Sequence, residues 1–315
     1  MNYIVIGEPC VDLIHTANNE VLHSYGGVLY SVISLAVLAG KANTVYPVMN
    51  LGEDEYDNIT SMLGKYANIS LDGIYKVQHP TRKVNLYYNI YNSGKSARFE
   101  ESTAPTYAIE YSKIEEFLPI GGAMLVNMIS GVDISLETLK DIRSNFKGFM
   151  HMDIHNLVMK TNDDGTREQT HLDDWRTWCT QPDTLQMNEY EIAIISREKK
   201  KEYEVIEEIL INQRNVNSRT FSGVIVTRGK NGVSGFTRKE KTYQGKKYFD
   251  LDKYDVNAVE NPHFIDSTGC GDVFAASFTY DFSVNHDFRK SLHYATRIAS
   301  YKTSLAGVDE LDKLK

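Results

Sequence analysis

Asp266-Ser267-Thr268-Gly269-Cys270-Gly271-Asp272, followed by Val273-Phe274-Ala275-Ala276-Ser277-Phe278, is the stretch on which the reading of this chain turns. Two glycines flank Cys270, so the backbone can fold tightly there and turn its N–H groups outward. An apolar, helix-like run begins at once. The free N–H groups of a helix start, together with its dipole, favour negative charge. The segment therefore reads as an anion hole built from main chain, suited to a phosphoryl group in transfer. Asp272 stands at its mouth. A carboxylate there either caps the helix or takes a proton from an attacking hydroxyl, a role worth ~10²–10⁴ in rate. Spacing alone leaves both readings open.

Outward from that turn, the chain alternates short apolar strands with helical patterns. Tyr3 to Ile6 reads as a buried strand. Gly26-Gly27 opens a helix over Leu29 to Leu38, stopped by Gly40. Tyr46 to Met49, Ala123 to Val126, Phe149 to Asp153, Thr184 to Met187 and Gly223 to Val226 are further strands. Helical patterns such as Leu136–Phe146 and Tyr203–Gln213 separate several of them. Such alternation predicts an α/β fold with a mainly parallel sheet covered by helices. Arg82 to Glu100 breaks the rhythm. Val84, Leu86, Tyr88 and Ile90 alternate with polar residues, and Asn92-Ser93-Gly94 signals a hairpin turn. This hairpin is expected to form a small sheet with Asp12 to His15 and the residues near His23. Phe236 to Gln244 and Lys246 to Asp250 read as late antiparallel strands, and Val273–Phe282 and Phe288–Ser304 as closing helices.

The 266–272 segment resembles the C-terminal signature of the PfkB, or ribokinase-like, carbohydrate kinases, Asp-Thr-x-Gly-Ala-Gly-Asp. Ser267 replaces the Thr and Cys270 the Ala. Further motifs fall in family order over nearly the whole chain. Gly7 and Asp12 match a strand-end Gly and a substrate-binding Asp. Gly26-Gly27 match the sugar-site turn, with Ser31 where an Asn is common. Gly52-Glu53-Asp54-Glu55-Tyr56 resembles a Gly-x-Asp-x-aromatic loop, although Asp57 stands where a Gly usually follows. Asn188-Glu189-Tyr190-Glu191 is similar to an Asn-x-x-Glu motif, and Thr227-Arg228-Gly229-Lys230-Asn231-Gly232 to a nucleotide-side Thr-x-Gly-x-x-Gly turn.

The resemblance implies a three-layer α/β/α fold with a β lid. Residues 1–12, 25–75 and 104–315 would form the core, and 13–24 and 76–103 the lid. It implies ATP as donor and a small sugar-like acceptor. Asp272 would be the catalytic base, with the N–H groups of Gly269, Cys270 and Gly271 under the γ-phosphate. Asp12, Gly26, Gly27, Ser31, Asp153 and His155 would face the acceptor. Asn188, Thr227, Gly229, Gly232 and Thr268 would line the ATP side. Mg²⁺ would be held near Asn188 and Glu191, largely through water. Some members bind a monovalent cation through the Asp matched by Asp266, which brings K⁺ into view. Lids of this kind often pair between subunits, which implies a homodimer.

Other features rank lower. His151, Asp153 and His155 alternate along one strand, as zinc or iron ligands could, but polar strand-end residues facing the substrate cleft are the reading preferred. Arg98 could reach an acceptor phosphate, or be an exposed strand arginine, the reading preferred here. Cys270 could be a nucleophile at a helix start, but no partner is placed beside it by the sequence. The basic runs around Lys199–Lys201 and Arg238–Lys247 read as solvated faces.

A formal net charge of -8 argues against nucleic-acid binding. No apolar stretch is long enough for a bilayer and no secretory signal is evident. Three cysteines without metal spacing fit a reducing compartment, so the cytoplasm is expected. A dinucleotide-dependent oxidoreductase would want Gly-x-Gly-x-x-Gly after the first strand, which is missing. A nucleoside kinase of the same fold, or a regulatory relative that binds without turnover, remains open.

Overall fold

The structure, a computed structural model, describes residues 1–15, 20–90, 96–212 and 223–314. The expected Asn92-Ser93-Gly94 turn lies outside them, as does the side chain of Arg98. The strands are β1 (Asn2–Ile6), β2 (Pro9–His15), β3 (Val21–Gly27), β4 (Thr44–Gly52), β5 (Ile74–Val77), β6 (Arg82–Ile90), β7 (Ser96–Ser102) and β8 (Ala123–Asn127). They continue with β9 (Phe149–Asp153), β10 (Met159–Thr161), β11 (Arg167–Gln169), β12 (Thr184–Asn188), β13 (Gly223–Thr227), β14 (Val233–Tyr243) and β15 (Lys246–Val256). The helices are α1 (Val28–Ala39), α2 (Tyr56–Leu63), α3 (Tyr111–Ile114), α4 (Leu136–Asn145), α5 (Trp175–Thr180), α6 (Glu189–Ile194), α7 (Glu202–Glu207), α8 (Cys270–Asn285) and α9 (Phe288–Lys302).

Among the described residues the large sheet has nine strands in the order β15-β14-β13-β12-β9-β8-β1-β4-β5. From β13 to β5 every pairing is parallel, and β14 and β15 add an antiparallel edge. Side chains alternate faces along a strand, and β1 shows what this achieves. Ile4 and Ile6 enter one core with α4, α5 and α7, while Tyr3 and Val5 enter another with α1 and α8. Both faces are covered, so the strands read as continuous apolar runs rather than alternating ones. The result is the expected three-layer α/β/α arrangement. Along α8, Phe274, Phe278 and Phe282 recur every fourth residue, and their rings stack at centroid distances of 6.5 and 5.6 Å.

A second sheet of four strands, β3-β2-β6-β7, stands apart from the first. It is the hairpin and partners expected from the sequence, although β2 begins already at Pro9. The chain crosses between sheets at Glu8, Val28, Arg82 and Ser102, and these four crossings are tied together. Val28 N–H donates to Glu8 O at 3.0 Å. The Arg82 guanidinium, 2% exposed, donates to Ser102 Oγ at 3.2 Å and lies 3.8 Å from Glu8 Oε2. Glu8 N–H donates to Asp133 Oδ1 at 2.7 Å, and Arg82 also reaches Ile129 O at 3.1 Å.

One helix and three short strands differ from expectation. The helix expected over Tyr203–Gln213 is α7 followed by a π-helical turn at Glu208–Asn212, with Gln213 outside the described residues. The short strands β5, β10 and β11 were not foreseen, because three or four residues carry too little periodicity to stand out.

Candidate active site

The carboxyl ends of parallel strands are where α/β sheets place ligands. Here β1, β8, β9, β12 and β13 end in Ile6, Asn127, Asp153, Asn188 and Thr227, so polar groups follow apolar strands at one edge of the sheet. The 266–272 turn faces that edge. Cys270 N–H donates to Ser267 O at 3.2 Å, and Gly269 occupies the third place of the turn with φ 75° and ψ 1°. That is the conformation of a type II turn, which requires φ > 0 at this place and hence glycine. A Cβ on Gly269 would also lie 2.4 Å from the ring of Tyr30.

The Cys270 amide is committed inward to Ser267, so the outward set is narrower than the Gly269, Cys270 and Gly271 trio. The Cys270 thiol is pushed up to about 12, chiefly by burial, which makes it a poor nucleophile.

Asp272 sits in the first turn of α8 and is 6% exposed. Asn127 Nδ2 donates to its Oδ1 at 2.7 Å. Burial raises its carboxyl to about 7; the Asn127 hydrogen bond opposes the rise and the Asp12 charge adds to it. A base poised near neutral pH is the value general base catalysis favours. Ser31 stands behind it, fully buried, donating to Asp272 O at 3.2 Å and accepting from Asn127 Nδ2 at 3.1 Å. Its hydroxyl supports the Asp272 and Asn127 groups from behind.

Asp12 lies on β2 and is 5% exposed. A Cβ on Gly26 would fall 2.3 Å from its Oδ2, so glycine there leaves the Asp12 carboxylate room to lie against β3. Asp153 ends β9, with Gln186 Nε2 donating to its Oδ2 at 3.0 Å and to Gly271 O at 3.1 Å. Gln186 thus links β12, β9 and the anion turn. His155 follows in a left-handed conformation, φ 43°, with Nδ1 3.9 Å from Asp153 Oδ2.

His151 does not join them. It is fully buried, hydrogen-bonds Thr184 Oγ1 at 2.8 Å and packs on Phe278. The alternation that aligned the three residues ends at Asp153, where the chain leaves the strand. The candidate cation ligands are instead Asp153, His155 and Asp272, whose ligand atoms lie within 4.8 Å of one another.

Asn188 caps α6, accepting from Tyr190 N–H at 2.8 Å and Glu191 N–H at 2.9 Å. Its own N–H and Nδ2 donate to the two oxygens of Glu191 at 2.7 and 2.6 Å. Asn188 is therefore occupied in holding Glu191. Burial raises Glu191 to about 8, and the Asp272 charge adds to the rise. Asp153 is likewise raised well above the carboxylate range, by burial first and then by Glu191 and Asp272. Three neighbouring carboxyls that repel one another, Asp153 and Asp272 buried and Glu191 half-buried, suit a divalent cation, which would relieve all three.

On the other side of the turn lies a cleft of about 740 Å³, with Thr227, Gly229 and Gly232 at one wall and Val259, Phe264 and Phe274 among its apolar lining. Thr268 turns inward, its N–H and hydroxyl donating to Asp266 Oδ1 at 2.9 and 2.8 Å. Asp266 Oδ2 faces the Lys302 ammonium at 3.4 Å. The carboxylate expected to hold a monovalent cation already meets a cation of the chain's own.

Sequence reasoning passed over Asn127, Gln186 and Lys302. Asn127 carried a usable signal, as the polar residue ending an apolar strand. Gln186 and Lys302 carried none, being one polar residue inside a strand and one lysine in a final helical turn.

Comparison with known proteins bears on the fold and the family. The chain resembles a ribokinase from Thermotoga maritima at 16% identity and a TM-score of 0.69, covering 100% of this chain and 98% of that one. An adenosine kinase from Schistosoma mansoni follows the same course at 15% identity and a TM-score of 0.73, over 99% of this chain and 98% of that one. So does a pyrophosphate-dependent kinase of the ribokinase family, at 15% identity and 0.70, over 100% and 99%. At these identities the likeness is one of fold. No curated protein matches the chain. The model of the pfkB family carbohydrate kinases matches residues 122–313, which include the anion turn, Asp272 and the strand ends that face them, and the chain belongs to that family.

Proposed function

We propose that the chain transfers the γ-phosphoryl group of ATP to a hydroxyl of a small sugar-like acceptor, with Asp272 as general base. The observation that carries this is the Asp272 carboxyl itself. It is buried at a helix start, raised to about 7, and oriented by Asn127 through one oxygen. With Oδ1 engaged, Oδ2 takes the acceptor proton. The acceptor oxygen forms its bond to phosphorus as the bond from phosphorus to the β,γ-bridging oxygen breaks, and ADP leaves. Little covalent work falls to the protein, so positioning and charge stabilisation dominate.

Asp12, held against Gly26, would bind acceptor hydroxyls, with Asp153 and His155 on the far side. Glu191, fixed by Asn188, would hold Mg²⁺ largely through water near the Asp153–Asp272 carboxyls, and would supply charge to neutralise phosphate there. The 740 Å³ cleft with its apolar wall supports a nucleotide donor, since pyrophosphate has no base to fill it. The four-stranded sheet would close over the acceptor and exclude water. Val21 and Leu22 of β3 are 45% and 52% exposed, which supports pairing of two lids in a homodimer. A nucleoside acceptor is the second reading, because nucleoside and adenosine kinases share the fold.

ADP release with Mg-ATP over a panel of sugars, sugar phosphates and nucleosides tests the proposal. Stimulation by one acceptor class supports it and names the acceptor. A chain that binds neither ATP nor ADP, or binds ATP and turns over with no member of the panel, refutes it.

A further inference from the structure

Lys302 ends α9 and has no exposed surface. Lysine is almost never fully buried unless its charge and its three donors are met. Three groups meet them here. Asp266 Oδ2 lies at 3.4 Å, Leu305 O at 3.3 Å, and the face of Tyr30 lies 5.4 Å away at its centroid.

Each partner leads to the anion turn. Asp266 opens that turn, and its other oxygen accepts both hydrogen bonds from Thr268. The ring of Tyr30 is the surface against which Gly269 packs. Leu305 follows the helix that carries Lys302, and Thr303 O in the same bend accepts from the Ile265 and Asp266 amides at 2.7 and 3.1 Å. The ammonium thus underlies the turn while touching none of its outward face. Its charge also draws down the Asp272 carboxyl and the Cys270 thiol, against the larger effect of burial on each. A hole of this shape could be filled by methionine without the desolvation cost of a charge. The charge therefore calls for a role beyond filling space.

We propose that Lys302 is the built-in cation of the phosphate-binding turn, a positioning residue that ties down Asp266 and removes any need for an added monovalent cation. It holds the turn in its binding shape and supplies positive potential beneath the transferring phosphoryl group. The proposal rests on the kinase reading above, and it reverses the K⁺ expectation attached to Asp266.

The test compares wild type, Lys302→Ala and Lys302→Met in K⁺, Na⁺ and tetramethylammonium at fixed ionic strength. Wild-type turnover stays within about twofold across the three salts, because the Lys302 ammonium already stands beside Asp266 where an added cation would bind. Lys302→Met, uncharged but of similar length, loses about tenfold or more in kcat in every salt. Lys302→Ala loses as much and regains activity saturably with K⁺, ammonium or methylammonium, which can enter the space left behind. Strong K⁺ stimulation of wild type overturns the proposal, as does a Lys302→Met enzyme with undiminished kcat. The wild-type arm decides even if neither variant folds. If no acceptor supports turnover, the kinase reading fails by itself and melting temperature carries the test. Methylammonium then raises the melting temperature of Lys302→Ala alone, and an equal response of all three proteins overturns the assignment.

Discussion

Replacing Asp272 by asparagine separates catalysis from stability. The carboxyl is raised from 3.8 to about 7 by its surroundings. A pKa unit corresponds to ~1.36 kcal/mol, so keeping this group ionised inside the fold costs up to about 4 kcal/mol at alkaline pH. The sign follows from proton counting. Between about pH 4 and pH 7 the folded chain holds a proton that the unfolded chain has released, so stability falls as pH rises through that window. Asparagine keeps the shape, accepts the same hydrogen bond from Asn127 Nδ2, and carries no charge to bury. The variant is therefore expected to melt higher than wild type at pH 8, by up to about 6 °C for 315 residues at ~2.1 cal/mol/K per residue, and no higher at pH 4. Its kcat should fall ~10²–10⁴ with nucleotide binding retained. Thermal melts at the two pH values and ADP release with a responsive acceptor measure both effects. A variant that keeps more than about a tenth of wild-type kcat refutes the role of Asp272 as base. A variant equally destabilised at both pH values refutes the account of its burial.

Three further outcomes are expected. The kcat/KM profile should rise with pH through an ionisation near 7 belonging to Asp272, and Asn127→Leu should move that limb upward by removing the bond that favours the ionised form; an unmoved limb assigns it to another group. Gly26→Ala forces a Cβ to within 2.3 Å of Asp12 Oδ2, so acceptor KM should rise about tenfold or more with ADP affinity unchanged, as acceptor titration and calorimetry would show. Cys270, its thiol pushed up to about 12, should react with iodoacetamide at pH 8 at least about tenfold more slowly than an exposed cysteine; peptide mass mapping measures this.

Much of this architecture leaves marks on residue type. The anion turn could be read because φ > 0 and close approach select glycine at Gly269, and the layered core because β1, β8 and β13 are apolar on both faces. Asp272 could be read from its place after that turn. What escaped depends on contacts far along the chain. Lys302 meets Asp266 across 36 residues and looks, in isolation, like a lysine suited to a helix C-terminus. Asn127 reaches Asp272 across 145 residues. Ser31 and His151 kept the right helix and strand, but their surroundings could not be read. Burial of a small polar group depends on what covers it, and no local pattern records that.

The tie among Glu8, Val28, Arg82 and Ser102 has a practical consequence for engineering. All four passages of the chain between the two sheets go through one buried knot, and removing one member of such a charge pair costs ~3–5 kcal/mol. The lid is rooted in that knot, and it is also tied to the core where Arg167 meets Glu100 and Tyr25 donates to Glu55. Its strands beyond Pro9 and Lys83 can be exchanged to suit a different acceptor, but a graft must be cut outside the knot and carry Glu8 and Arg82 together. A chimera that splits that pair would lose its fold before its specificity could be measured.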